Sequence, residues 1–144
     1  TVSATGTFAD KNVGNAKVVT LNATYGGADV GNYNITSQVN TTANITPKSL
    51  TVAGLSFASS KVYDGTTAAA PLTMGALQSE SAAGAGTTAD GKPYTGDTVS
   101  LTGTPTGTYN NKNVATAANI SVSGLSLAGA DANNYSITIT NANT

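Results

Sequence analysis

Large apolar residues alternate with small or polar ones along most of the chain, and clusters of Gly, Asn, Asp and Pro interrupt the alternation. Successive side chains of an extended strand point to opposite faces, so a period of two predicts half-buried strands. The pattern is clearest in SLTVAGLSF (49–57), DTVSLTGT (97–104), NISVSGLSLA (119–128) and YSITIT (135–140). Three earlier stretches repeat it: KVVTLNATY (17–25), YNIT (33–36) and TTANI (41–45). Turn residues fall between them at Asp64-Gly65, Gly91, Pro93, Gly96-Asp97, Gly107, Gly129 and Asn133-Asn134. No stretch longer than about ten residues carries a helical period. Residues 78–97, small and polar, read as one long mobile loop. The chain is therefore expected to be all-β, most simply tandem β-sandwich-like modules forming an elongated rod. A β-grasp-like sheet is the alternative, because strand patterns do not encode connectivity.

The sequence also repeats itself. Residues 7–36 and 108–138 align through Thr7/Thr108, Phe8/Tyr109, Lys11/Lys112, Asn12/Asn113 and Val13/Val114. After a one-residue gap, Ala28-Asp29 aligns with Ala130-Asp131 and Asn32-Tyr33 with Asn134-Tyr135. The spacing of about a hundred residues is one domain, not one solenoid turn. Residues 1–46 read as the C-terminal part of one repeat and 47–144 as the next, nearly complete repeat, an excerpt from a longer array. At the joint, Pro47 fixes its own φ and extends Thr46, which predicts a short, stiff link.

Composition narrows the function classes. Only 9% of residues are charged, the net charge is −1, and all six basic residues are lysines. That is not the footprint of a nucleic-acid binder. No apolar run approaches a membrane span, so this segment is not expected to insert, and any export signal lies outside it. His, Cys and Trp are absent. The commonest general base, thiol nucleophile and soft metal ligands are missing with them, and no cofactor is implied.

Each candidate site has a structural reading. In KVYDGTT (61–67), Asp64-Gly65 reads as a two-residue hairpin turn between strand-prone neighbours, with the Tyr63 ring buried and its hydroxyl at the edge. GADVGNY (27–33) and GADANNY (129–135), which end on the anchor residues Tyr33 and Tyr135, carry Asp29 and Asp131 with nearby Asn at spacings that suggest calcium. Each motif offers one carboxylate where calcium needs several, so Asx capping of the following strand explains them better. Lys11 and Lys112 invite a Lys–Asn isopeptide cross-link, but the only glutamate, Glu80, lies in the expected loop. A lysine whose stem covers apolar surface is the simpler account. Asn-x-Ser/Thr at Asn22, Asn34, Asn40, Asn44, Asn119 and Asn134 follows from composition alone.

Taken in order, ITPKSLTV, KVYDGTT, GDTVSLTG, GTYNNKNV and GADANNYSIT resemble the YDG-type tandem repeat of large bacterial surface adhesins similar to filamentous haemagglutinin. The departures are the insertion around 78–95 and NVATAA in place of the NVG found at Asn12–Gly14. The resemblance implies an exported, cell-surface or matrix protein of tandem β modules with no enzyme activity. Two functions compete. One is a rigid spacer that contacts neighbouring repeats. The other is an adhesive module that uses loop 78–97 to bind a surface glycan or matrix polysaccharide. A variant has residues 1–45 recruiting like chains by edge-strand pairing.

Overall fold

A computed structural model describes residues 1–83, 87–139 and 142–143, the last two through their backbone alone. The chain divides into two compact units, Thr1–Pro47 and Lys48–Thr144. Among the described residues there is no α-helix, only strands and two 3-10 turns, Val30–Asn32 and Ala132–Asn134. The protein is all-β.

Unit 1 is one antiparallel sheet in the order β1 (Val2–Phe8), β2 (Gly14–Tyr25), β3 (Asn40–Ile45). The β1–β2 register runs from Val2 opposite Tyr25 to Phe8 opposite Val19. Val19 is its one buried large apolar side chain among the described residues. The β2–β3 ladder slips between Gly14 and Lys17. There Ala16 adopts a φ of 50°, and its N–H donates to the Asn44 side chain at 2.8 Å.

Unit 2 holds two sheets. β4 (Lys48–Phe57) lies between β6 (Pro71–Leu77), antiparallel to it, and β9 (Tyr135–Thr138), parallel to it. The second sheet runs β10 (Ala142–Asn143), β8 (Asn119–Ala128), β7 (Ser100–Tyr109), β5 (Ala68–Ala69). Phe57 of β4 joins the sheets: it packs with Ala69, Tyr109 and Ile120, flanked by Leu55, Ala117 and Val122. Leu50, also on β4, is wholly buried.

The outer faces carry hydroxyls that pair across strands, which accounts for the wealth of Thr and Ser. Thr102 meets Ser126 at 3.0 Å, Thr106 meets Ser123 at 2.9 Å and Ser56 meets Thr73 at 2.8 Å. Each such pair contributes about 0.2–1 kcal/mol without adding charge.

Several sequence expectations need correction. Strand β7 begins at Ser100, not Asp97, and continues past Thr104 to Tyr109. A bulge between Gly103 and Thr106 lets it do so. Pro105 sits buried in that bulge, where its missing N–H costs no ladder bond. Gly103 and Gly124 face each other across it at φ +90° and +87°; a Cβ on Gly103 would lie 2.1 Å from the Gly124 carbonyl oxygen. Strands β1 and β6 carried too little alternation to be predicted. β6 begins at a proline, tolerated because it is an edge strand. YNIT (33–36) is not a strand, for a reason given below. The expected strand over 135–140 ends at Thr138, and Thr140 lies outside the described residues.

The described parts of 78–97 are irregular, but they are tied down. Residues 84–86 of that stretch lie outside the described residues. Ser81 and Tyr94 form a parallel bridge, and Thr51 N–H donates to the Gly91 carbonyl at 2.9 Å. Gly91 and Pro93 are buried.

Candidate functional site: lysine-locked turns and the cleft beside them

Residues 58–67 contain no strand, so Asp64-Gly65 is not the hairpin turn expected. The Asp64 carboxylate organises the segment instead. Its Oδ1 accepts the Thr66 N–H at 2.9 Å and the Thr66 hydroxyl at 3.0 Å, an Asx turn. Gly65, at φ +77°, supplies the left-handed residue this turn uses. The Lys61 ammonium closes the ring, 2.8 Å from Asp64 Oδ1 and 2.8 Å from the Thr66 carbonyl. Lys61, then the Thr66 N–H and hydroxyl, hold the Asp64 pKa down at about 2.

Tyr63 does not bury its ring: it is 57% exposed, because Asp64 and Lys61 rather than apolar packing anchor the turn. The buried aromatic nearby is Tyr109, whose hydroxyl donates to the Ala58 carbonyl at 3.1 Å. Lys61 Nζ stands 5.7 Å from its ring centre. Tyr63, Tyr109, Lys61, Lys112, Asn111 and Asn113 line a cleft of about 210 Å³.

A second lysine was missed in the sequence. Lys48 opens β4 with its side chain buried, its ammonium 2.8 Å from Asp90 and 3.7 Å from the Tyr94 ring centre. Asp90 also accepts the Lys92 N–H at 3.0 Å, another Asx turn. Lys48 and then that N–H hold the Asp90 pKa at about 2. An ionised carboxylate suits an ion pair and is a poor acyl group for amide formation with the amine. Lys17 repeats the device in unit 1, paired with Asp10 while the Asn12 N–H donates to Asp10 at 2.8 Å. Its ammonium also donates to the Asn12 carbonyl at 2.7 Å. Among the described residues, three lysine–aspartate pairs each lock a turn made by the same aspartate. The signal in sequence was D-x-T, D-x-K or D-x-N with a lysine elsewhere to reach it. Only for Lys61 is that lysine within one turn of the aspartate.

The GAD motifs do not cap locally. Asp29 and Asp131 start 3-10 turns without a side-chain capping bond. Asp131 reaches across to accept the Thr98 N–H at 2.8 Å, while Asp29 is exposed. Tyr135 is buried; its hydroxyl donates to Asp97 at 2.6 Å and accepts the Tyr94 N–H at 3.0 Å. Burial and then the Asp97 carboxylate push its pKa up to about 12. Tyr33, its counterpart, is 72% exposed. Pro47 is exposed between β3 and β4, two residues from Ile45. Among the described residues no three His, Cys, Asp or Glu side chains gather where they could hold a metal ion.

A family model described as the YDG domain matches residues 1–42 and 46–144. No curated protein and no solved structure matches the chain.

Proposed function

The chain belongs to the YDG domain family, and from that premise we propose that it is a non-catalytic structural module, a stiff spacer in an exported bacterial surface adhesin or extracellular fibre. The observation that carries this reading is where the charge goes. Lys17–Asp10, Lys48–Asp90 and Lys61–Asp64 each close a turn, so half of the six lysines stiffen loops. Cross-strand hydroxyl pairs keep the faces wet with few charges. Two matched stretches in one chain support tandem use, with neighbouring repeats as the natural partners. β3 ends at Ile45 and β4 begins at Lys48, which leaves Thr46 and the rigid Pro47 between them. Light scattering with small-angle X-ray scattering tests the reading. A monomeric, elongated particle is expected; a compact one would sink it.

A second reading has the module bind a surface polysaccharide. The described part of loop 78–97 is tied inward at Asp90 and Gly91, so the loop is a poor platform. The cleft beside Tyr63 is a better one: an exposed aromatic face stacks on sugar rings, and Asn111, Asn113 and Lys112 bring amides and a cation. Tyr63→Ala is expected to abolish retention on immobilised anionic polysaccharide. Unchanged retention, or none by the parent chain, would remove this reading.

A further inference from the structure

The turns locked by Lys61 and Lys48 contain both Asp-Gly steps of the chain, Asp64-Gly65 and Asp90-Gly91. Asp-Gly is the aspartyl step most prone to isomerise, because glycine has no side chain to shield its amide nitrogen. That nitrogen attacks the aspartate Cγ. The N–Cγ bond forms, and the carboxyl O–H leaves as water with the nitrogen's proton, giving a succinimide. Water then opens the ring, and attack at the main-chain carbonyl leaves isoaspartate, with the backbone rerouted through Cβ. One water leaves and one returns, so no other reactant is needed. The other four aspartates precede Lys, Val, Thr and Ala, and no asparagine precedes glycine. These two steps are the places where this chemistry threatens the chain.

Neither step is free to change its residues. Gly65 and Gly91 hold φ at +77° and +72°, the left-handed region that favours glycine. A Cβ on Gly91 would also lie 2.3 Å from Thr51 Oγ1. The aspartates are needed as well, since each carboxylate accepts the N–H two residues on, from Thr66 or Lys92. Isomerisation would lengthen the backbone by one methylene close to fixed points. The Thr67 carbonyl accepts the Tyr109 N–H at 2.8 Å, and the Gly91 carbonyl accepts the Thr51 N–H at 2.9 Å.

We propose that the lysine at each Asp-Gly step is a chemical guard, which slows succinimide formation by holding the carboxylate as a fixed anion. Each ammonium stands 2.8 Å from the same Oδ1 that accepts the backbone N–H. To cyclise, the carboxyl group must take up a proton and turn Cγ towards the glycine nitrogen, and both moves give up these bonds. The pKa values of about 2 work in the same sense, since only the neutral acid carries a leaving group. A return of Asp64 to 3.8 would raise its protonated fraction at neutral pH about sixtyfold. Asp10, clamped by Lys17, precedes Lys11, so clamps are not confined to Asp-Gly; what is particular is that neither Asp-Gly step lacks one. Asp64 depends on its guard more, because its side chain is 53% exposed against 19% for Asp90, and water for ring opening reaches it. This holds whatever the module binds or spaces.

The test incubates Lys61→Met beside the parent chain at neutral pH and measures isoaspartate at each step by peptide mapping with electron-transfer fragmentation. Isoaspartate at Asp64 is expected to accumulate about tenfold faster in Lys61→Met, short of sixtyfold because Thr66 still holds the carboxylate. The rate at Asp90, which Lys48 guards, should not change. Lys61→Arg, which keeps a cation, should stay close to the parent. The parent chain in guanidinium chloride supplies a check that needs no variant to fold: both steps should isomerise about tenfold or more faster than in the folded chain. Equal rates at Asp64 in parent and Lys61→Met would overturn the guard. So would a slower rate in the variant, which would make the ammonium the acid that helps water leave. Equal acceleration at Asp64 and Asp90 in Lys61→Met would also overturn it, as general loosening, and so would agreement between the folded and denatured rates at either step.

Discussion

Tyr33 and Tyr135 end the same seven-residue motif, yet one is 72% and the other 6% exposed. The residues around them are nearly interchangeable: GADVGNYNIT in unit 1, GADANNYSIT in unit 2. Both 3-10 turns form, each with the tyrosine N–H donating three residues back. Only in unit 2 does a first strand run alongside. The local motif thus specifies the turn, and the strand after it depends on a partner far away in sequence. A β-strand cannot satisfy its own N–H and C=O groups, whereas a turn can.

The largest expected break in this comparison comes from the partner strand. Leu50→Ala removes a wholly buried side chain from the centre of β4. A loss of about 2–5 kcal/mol in unit 2 is expected. Urea unfolding followed at Tyr135 would record it, while the Phe8–Val19 ladder of unit 1 should hold its midpoint. A simultaneous drop at both would mean that the units do not fold separately.

Next comes the pair Gly107→Ala and Gly6→Ala. At Gly107 the new methyl meets the Phe57 ring and Ile120, and a cost of about 1–3 kcal/mol is expected. At Gly6 it meets the tips of Val19 and Leu21, with open space on the uncovered side, so the cost should be clearly smaller. Equal costs would show that Phe57 is not what distinguishes the two faces.

Removing the hydroxyls sharpens the same contrast. Tyr135→Phe removes the hydrogen bonds that its hydroxyl makes to Asp97 and from the Tyr94 N–H, at about 1–3 kcal/mol. Tyr33→Phe touches an exposed ring and should fall within about 0.5 kcal/mol of the parent. Thermal melts of the two variants, side by side, decide it.

The smallest effects are in pH. Asp64 and Asp90 fall from 3.8 to about 2 on folding, so the unfolded chain binds their protons more tightly. Their contribution is complete well above pH 4 and is lost as pH falls towards 2. Asp10 acts in the same direction in unit 1. Tyr135 runs the other way: raised from 10.0 to about 12, its contribution is present below pH 10 and lost as pH rises through 12. Carboxyl NMR titration of Lys48→Met should return Asp90 towards the ordinary value and leave Asp64 low. A return of both would mean that the two turns are coupled.

Much of the architecture was legible in the residues. The alternation in 119–128 marks β8 to the residue, and 49–57 misses only Lys48 of β4, because backbone pleating imposes the period directly on side chains. β1 was not legible: VSATGTF has large residues only at its ends, and only its partner β2 makes it a strand. The YDG turn was half legible. Asp64 and Gly65 announced a turn, but the aspartate's partners, Lys61 and Thr66, decided its type and turned Tyr63 outward.

Sequence by itself therefore determined what is local or periodic: strand phase, turn positions, the internal repeat and a composition of hydroxyls instead of charges. Tertiary structure alone decided what depends on distant partners. It buried Lys48 against Asp90 and Tyr94, made Tyr135–Thr138 a strand and left Tyr33–Thr36 without one. The reason is physical: a ladder hydrogen bond and a buried ion pair each need a second group, and no single stretch of chain contains both.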